Sequence, residues 1–143
     1  MEEYKVLITT SGIGSRLGDL TKYTNKSLVR VGDKPAISHI IESYSEDTKF
    51  VVTLGHFGNH VKDFLELAYP NKDFEFVNVD KYKGTGSSLL YSLKCAKSKL
   101  NSPFIFHAGD TIIKDHSFQK NAYVPYGVIY VNSRETHALY IYD

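Results

Sequence analysis

Gly12, Gly14, Arg16 and Lys26 fall in one early stretch, "TTSGIGSRLGDLTKYTNKSLVRVGDKP" at residues 9–35, directly after the apolar run "KVLI". Glycine permits positive φ and lets a ligand approach the backbone closely. Free N–H groups in such a bend make an anion-binding concavity, and an arginine fork suits phosphate oxygens. Far downstream, Asp110 closes "FIFHAGD". A carboxylate there can share Mg²⁺ with phosphate oxygens, although an aspartate after glycine is also an ordinary turn residue. The chemistry suggested is phosphate binding. Two familiar phosphate loops are excluded. The dinucleotide fingerprint needs glycine where Leu17 stands, and a Walker A loop needs glycine where Asn25 stands. On the glycines alone, a plain surface turn fits equally well.

The elements that would position these residues alternate. "KVLI", "FVVTLG", "FEFVNV" and "PFIFHAGD" read as buried strands. Between them, "PAISHIIESYS" places Ile37, Ile40, Ile41 and Tyr44 at helical spacing, and "GNHVKDFLELAYP" does the same for Val61, Phe64, Leu65 and Ala68. "TGSSLLYSLKCAKSKL" reads as a third helix with Leu89, Leu90, Leu93 and Ala96 inward, opened by Gly84, Thr85 and Gly86. Strand–helix alternation of this kind makes a mainly parallel sheet with helices on both faces, and ligands bind beyond the carboxyl ends of its strands. The tail, "YVPYGVIYVNSRETHALYIYD", reads as two strands at 126–131 and 138–142, taken as an antiparallel pair. Uncovered edges there predict self-association.

A chain of 143 residues fits one domain over residues 1–143. The net charge of +1 gives no field for nucleic acid or an anionic membrane. The lone Cys95 favours a reducing compartment. There is no run of about 20 apolar residues and no basic start of a signal peptide, so a cytoplasmic protein is expected. One cysteine and scattered histidines make no zinc site, and His107 reads as packed within its strand.

The early stretch resembles the signature of the sugar-phosphate nucleotidyltransferase family, through Gly12, Gly14, Ser15, Arg16, Leu17, Leu20, Thr21, Lys26, Leu28, Val31, Lys34, Pro35, Ile37 and Ile41 with no gap in spacing. "KGTGSSLLYSL" and "FIFHAGDTI" are similar to two later segments of that family, so the resemblance covers residues 4 to about 115. It implies an α/β, Rossmann-like three-layer sandwich, glycosyltransferase-A-like, apparently shortened at the C-terminus with an incomplete acceptor half.

The implied reaction is attack by a phosphate oxygen of the acceptor on the α-phosphorus of a nucleoside triphosphate, with loss of pyrophosphate. Such chemistry needs positioning and charge stabilisation rather than a general base. By resemblance, Arg16 neutralises the β,γ-phosphates and Lys26 lies near the α-phosphate. Thr10, Ser11, Gly12, Gly14, Ser15, Gly84 and Thr85 contact the nucleotide, and Asp110 holds Mg²⁺. The partners implied are a nucleoside triphosphate and a phosphorylated small-molecule acceptor such as a sugar 1-phosphate.

Several departures stand out. Thr10 and Ser11 occupy positions usually held by alanines, with hydroxyls that could touch or crowd the nucleotide. Asp19 and Asn25 replace two prolines, which predicts a more mobile loop. Lys34 serves equally as a surface charge, and Lys22 and Arg30 match no required position. No glutamine precedes Gly84 to read the base. The family's second metal-binding aspartate has no counterpart, and Asp115 has no assignable role. A non-catalytic nucleotide-binding module is the alternative. A glycosyltransferase is disfavoured because "GDTIIKD" does not space its aspartates as D-x-D.

Overall fold

The computed structural model describes residues 4–112 and the backbone of residues 128–130. Strand β1 (Lys5–Thr9) lies mid-sheet, with β4 (Lys49–Leu54) on one side and β6 (Phe104–Ala108) on the other. β5 (Asp73–Asn78) flanks β4, and β7 (Val128–Tyr130) flanks β6, giving the order β5-β4-β1-β6-β7. Every pairing is parallel, with Ile8 opposite Val52 and His107 in register. A parallel sheet is covered on both faces, which is why its strands read as continuous apolar runs.

The faces divide by the alternation of the strand. Val6 and Ile8 point towards α1 (Ala36–Ser43) and α2 (Gly58–Ala68), where they pack with Ile37, Ile41, Val61 and Leu65. Leu7, Val51 and Phe106 point the other way, onto Ala96 of α3 (Leu89–Ala96). Helices therefore lie on both faces, the three-layer arrangement expected. Leu7 and Ile8 have no exposed surface, and each such burial contributes about 1.5–3 kcal/mol.

Local details depart from expectation. The third helix starts at Leu89, with the Ser88 hydroxyl accepting from Tyr91 N, so Gly84, Thr85 and Gly86 lie in the preceding turn. Gly84 and Gly86 have positive φ there and break the helical path. Leu89 and Leu90 are exposed, not inward, in the first turn of α3. Ala68 is also exposed, at the last position of α2. A small hairpin, β2 (Arg30–Val31) and β3 (Lys34–Pro35), turns at Gly32 before α1 and was missed, being only two residues per strand. β7, within the strand expected at 126–131, runs parallel to β6. Its expected partner at 138–142, Asp115 and the self-association read from the tail fall outside the described residues.

Candidate nucleotide site

A cavity of about 340 Å³ opens at the carboxyl ends of β1 and β6. Its floor is the bend that follows β1. Gly14 adopts φ 63°, and a Cβ there would stand 3.0 Å from both Lys26 Cβ and Thr21 Cγ2. The loop can therefore close onto the Lys26 stem only with glycine at this position. Gly12 differs: nothing lies within 4 Å of where its Cβ would be, so its side faces open space.

Lys26 and Asp110 come from segments far apart in sequence and meet on the cavity wall. The ammonium lies 2.5 Å from Asp110 Oδ2, with both side chains part-exposed. Gly109 delivers Asp110 by close approach: a Cβ there would stand 2.6 Å from the Thr9 carbonyl oxygen, and its N–H donates to that oxygen.

Behind the turn, His107 is 1% exposed. Its Nε2 donates to the Thr111 carbonyl, so Nδ1 accepts from the Tyr44 hydroxyl at 2.8 Å. Burial holds the Tyr44 phenol well above its ordinary value, so the hydroxyl stays protonated as the donor. His107 is thus packed, as expected, and it braces the turn that carries Asp110.

The hydroxyls of Thr10 and Ser11 are turned into the protein. Thr10 Oγ1 donates to the Thr53 carbonyl at 2.5 Å, and Ser11 Oγ pairs with Ser92 Oγ at 2.9 Å. Both residues still line the cavity, and neither hydroxyl crowds it.

Asn25 overturns the expectation of a loosened loop. It is fully buried, and its side chain makes four hydrogen bonds, to Thr10, His56 and twice to Ser27. Those bonds do the restraining work that a proline ring would otherwise do.

The structure thus gathers Thr10, Ser11, Gly12, Gly14, Lys26 and Asp110 around one cavity. Ser15 and Arg16 lie exposed on the 3-10 turn Ser15–Thr21, beyond the cavity wall. Gly84 and Thr85 are exposed in the turn before α3 and do not line it, whereas Ser87 and Ser88 do. Lys34 pairs with Glu42 at 2.9 Å, a surface ion pair. Lys22 lies over the Tyr23 ring, and Arg30 Nε donates to the Gly32 carbonyl.

Sequence reasoning missed Lys81 and Tyr82, which also line the cavity. The available signal was their place just after the third strand, at the ligand-binding edge of the sheet. Tyr91 anchors this segment by donating to Asp80 at 2.6 Å, which pushes the Tyr91 phenol up to about 12 and lowers the Asp80 carboxyl.

No family model matches the chain. Individual proteins do, among them these three. The bifunctional protein GlmU of Methanococcus vannielii is 28% identical over 108 residues, which is 76% of this chain and 25% of that protein. The low-salt glycan biosynthesis nucleotidyltransferase Agl11 of Haloferax volcanii is 29% identical over 114 residues, covering 78% of this chain and 31% of that protein. The solved structure of the CTP:phosphocholine cytidylyltransferase LicC of Streptococcus pneumoniae superposes with a TM-score of 0.62 at 27% identity, over 85% of this chain and 51% of that one. The similarity points to the sugar-phosphate nucleotidyltransferase family. The chain spans 25% to 31% of the length of the two curated nucleotidyltransferase-family relatives described above. The Rossmann-like fold of the family and the sheet order found here agree.

Proposed function

We propose that the chain provides the nucleotide-binding half of a nucleotidyltransferase that moves a nucleoside monophosphate from a nucleoside triphosphate to a sugar 1-phosphate or similar phosphate. The observation that carries this reading is the meeting of Lys26 and Asp110 over the Gly12–Gly14 bend, at the carboxyl edge of a parallel sheet. In the transfer, an acceptor phosphate oxygen bonds to the α-phosphorus, the bond to the bridging oxygen breaks, and pyrophosphate departs with that oxygen. The acceptor is already an anion, so no side chain has to remove a proton. The backbone of the bend would receive the phosphates, and Lys26 would offset the charge that builds at the α-phosphate. Arg16, displayed on an exposed turn beside the bend, would meet the outer phosphates at the cavity mouth.

Mg²⁺ belongs to the same reading. Asp110 already accepts a cation, the Lys26 ammonium, on Oδ2. Among the described residues no three His, Cys, Asp or Glu side chains cluster into a metal cage. One carboxylate completed by phosphate oxygens and water is how Mg²⁺ is usually held, so the donor set fits a metal that arrives with the nucleotide. When bound, Mg²⁺ would neutralise triphosphate charge. Among the described residues no helix is long and apolar enough to cross a membrane, and a cytoplasmic setting, where these small phosphorylated substrates occur, completes the proposal.

A second reading, nucleotide binding without turnover, is favoured by one observation: among the described residues Asp110 is the only carboxylate on the cavity wall. Pyrophosphate release from each common nucleoside triphosphate, with Mg²⁺ and a panel of sugar 1-phosphates and phosphocholine, separates the two. Release above the no-acceptor control supports transfer. Calorimetric binding without release supports the second reading, and absence of both rejects each.

A further inference from the structure

Asn25 has no exposed surface, and its carboxamide uses its full hydrogen-bonding capacity. Nδ2 donates to the carbonyls of Thr10 at 2.7 Å and His56 at 2.6 Å. Oδ1 accepts from Ser27 N at 2.9 Å and Ser27 Oγ at 2.7 Å. The orientation is dictated, since a flipped amide would set an oxygen against two carbonyl oxygens. These bonds join three segments. Thr10 is where the chain leaves β1 to enter the bend, His56 follows β4, and Ser27 lies in the short turn Lys26–Leu28 that Asn25 caps. The fourteen residues between Thr10 and Asn25 are therefore closed into a loop by one side chain. His56 adds two more holds on it, from N–H to the Ser11 carbonyl at 3.0 Å and from Nε2 to the Thr21 carbonyl at 2.8 Å. Lys26, next in sequence, leaves this staple in contact with Gly14 and reaches Asp110.

We propose that Asn25 is a positioning residue that holds Lys26 in its nucleotide-receiving arrangement before nucleotide arrives. The inference rests on the nucleotide-binding reading above. Ordering a loop and a lysine stem carries an entropic cost. Here that cost is met on folding, by bonds to the ends of two strands that are made without the ligand, so binding does not bear it. Asn25 thus acts through Lys26 rather than on the ligand.

A double-mutant cycle tests this. The dissociation constants of Mg²⁺ complexes of ATP, GTP, CTP, UTP and dTTP are measured by calorimetry on the 143-residue chain, on N25A, on K26M and on N25A/K26M. For whichever nucleotide the parent chain binds, N25A is expected to weaken affinity about tenfold when Lys26 is present and less than about twofold in the K26M background, because contacting residues couple. Equal losses in both backgrounds overturn the inference and leave the nucleotide reading standing. A parent chain that binds none of the five overturns that reading, and the inference with it. Circular dichroism checks that each variant folds, and Asn25→Ser replaces N25A if the alanine variant does not. Failure of both to fold would assign Asn25 to folding alone and equally overturn the inference.

Discussion

The Lys26 ammonium lies 2.5 Å from Oδ2 of Asp110, bridging the loop after β1 and the end of β6 across the cavity. Both side chains are part-exposed, at 34% and 43%, so the pair contributes about 1 kcal/mol at most. It is weak enough to part when a stronger ligand for either group arrives. A lysine resting on a carboxylate also competes with any free cation for it.

Removing the lysine should therefore have opposite effects on metal and on nucleotide. K26M is expected to bind Mg²⁺ alone about two- to fivefold more tightly, as the competing ammonium is gone. It should bind the Mg²⁺ complex of the nucleotide more weakly, having lost a phosphate partner. Calorimetry with Mg²⁺ alone and with Mg²⁺–nucleotide reads both. A fall in both affinities would refute the competition.

Asp110→Asn keeps the shape and removes the charge. Mg²⁺-dependent nucleotide binding should fall about tenfold or more while the melting temperature changes little, because an exposed turn carboxylate contributes little to the fold. Treating the parent chain with EDTA should produce the same loss reversibly. Identical Mg²⁺ titrations for parent and variant would return Asp110 to the role of a turn residue.

Two glycines should separate fold from site. A Cβ at Gly55 would stand 2.5 Å from the Ser11 carbonyl oxygen, and backbone cannot easily retreat, so Gly55→Ala should destabilise the chain by about 1–3 kcal/mol. At Gly12 nothing lies within 4 Å, so Gly12→Ala should melt close to the parent while placing a methyl where phosphates would lie. Denaturant unfolding and nucleotide titration on both variants check the contrast. A Gly12→Ala chain that binds nucleotide like the parent would remove the bend from the site.

Tyr44 gives a pH signature. Its phenol is raised above the ordinary 10.0, first by burial and then by Tyr4. A raised acid contributes stability that is fully present below the unfolded value and is lost as pH climbs above it. Unfolding free energy should thus fall more steeply above pH 10 in the parent than in Tyr44→Phe. Near neutral pH the variant should be about 1–2 kcal/mol less stable, since His107 Nδ1 loses its hydroxyl donor. Parallel slopes above pH 10 would contradict this account.

The order of strands and helices, the apolar cores of β1, β4 and β6, and the grouping of Gly12, Gly14 and Lys26 were legible in the chain itself. Continuous apolar runs, helical spacing in "AISHIIES" and glycine chemistry are local properties, written in neighbouring residues. Helix starts were less so: the turn at 84–86 looked like the opening of α3 until the positive φ of Gly84 and Gly86 placed it outside.

What only the tertiary structure decided is who meets whom. Lys26 and Asp110 are 84 positions apart, and nothing local brings a loop lysine to the end of the fourth long strand; adjacency of β1 and β6 in the sheet does. Asn25 read as a lost proline because sequence shows what a residue lacks locally. Its partners Thr10 and His56 come from the ends of two different strands, and only their meeting turns it into a fully bonded staple. Hydrogen bonding is short-ranged and directional, so a side chain's work depends on which carbonyls arrive within 3 Å, and that is settled by packing.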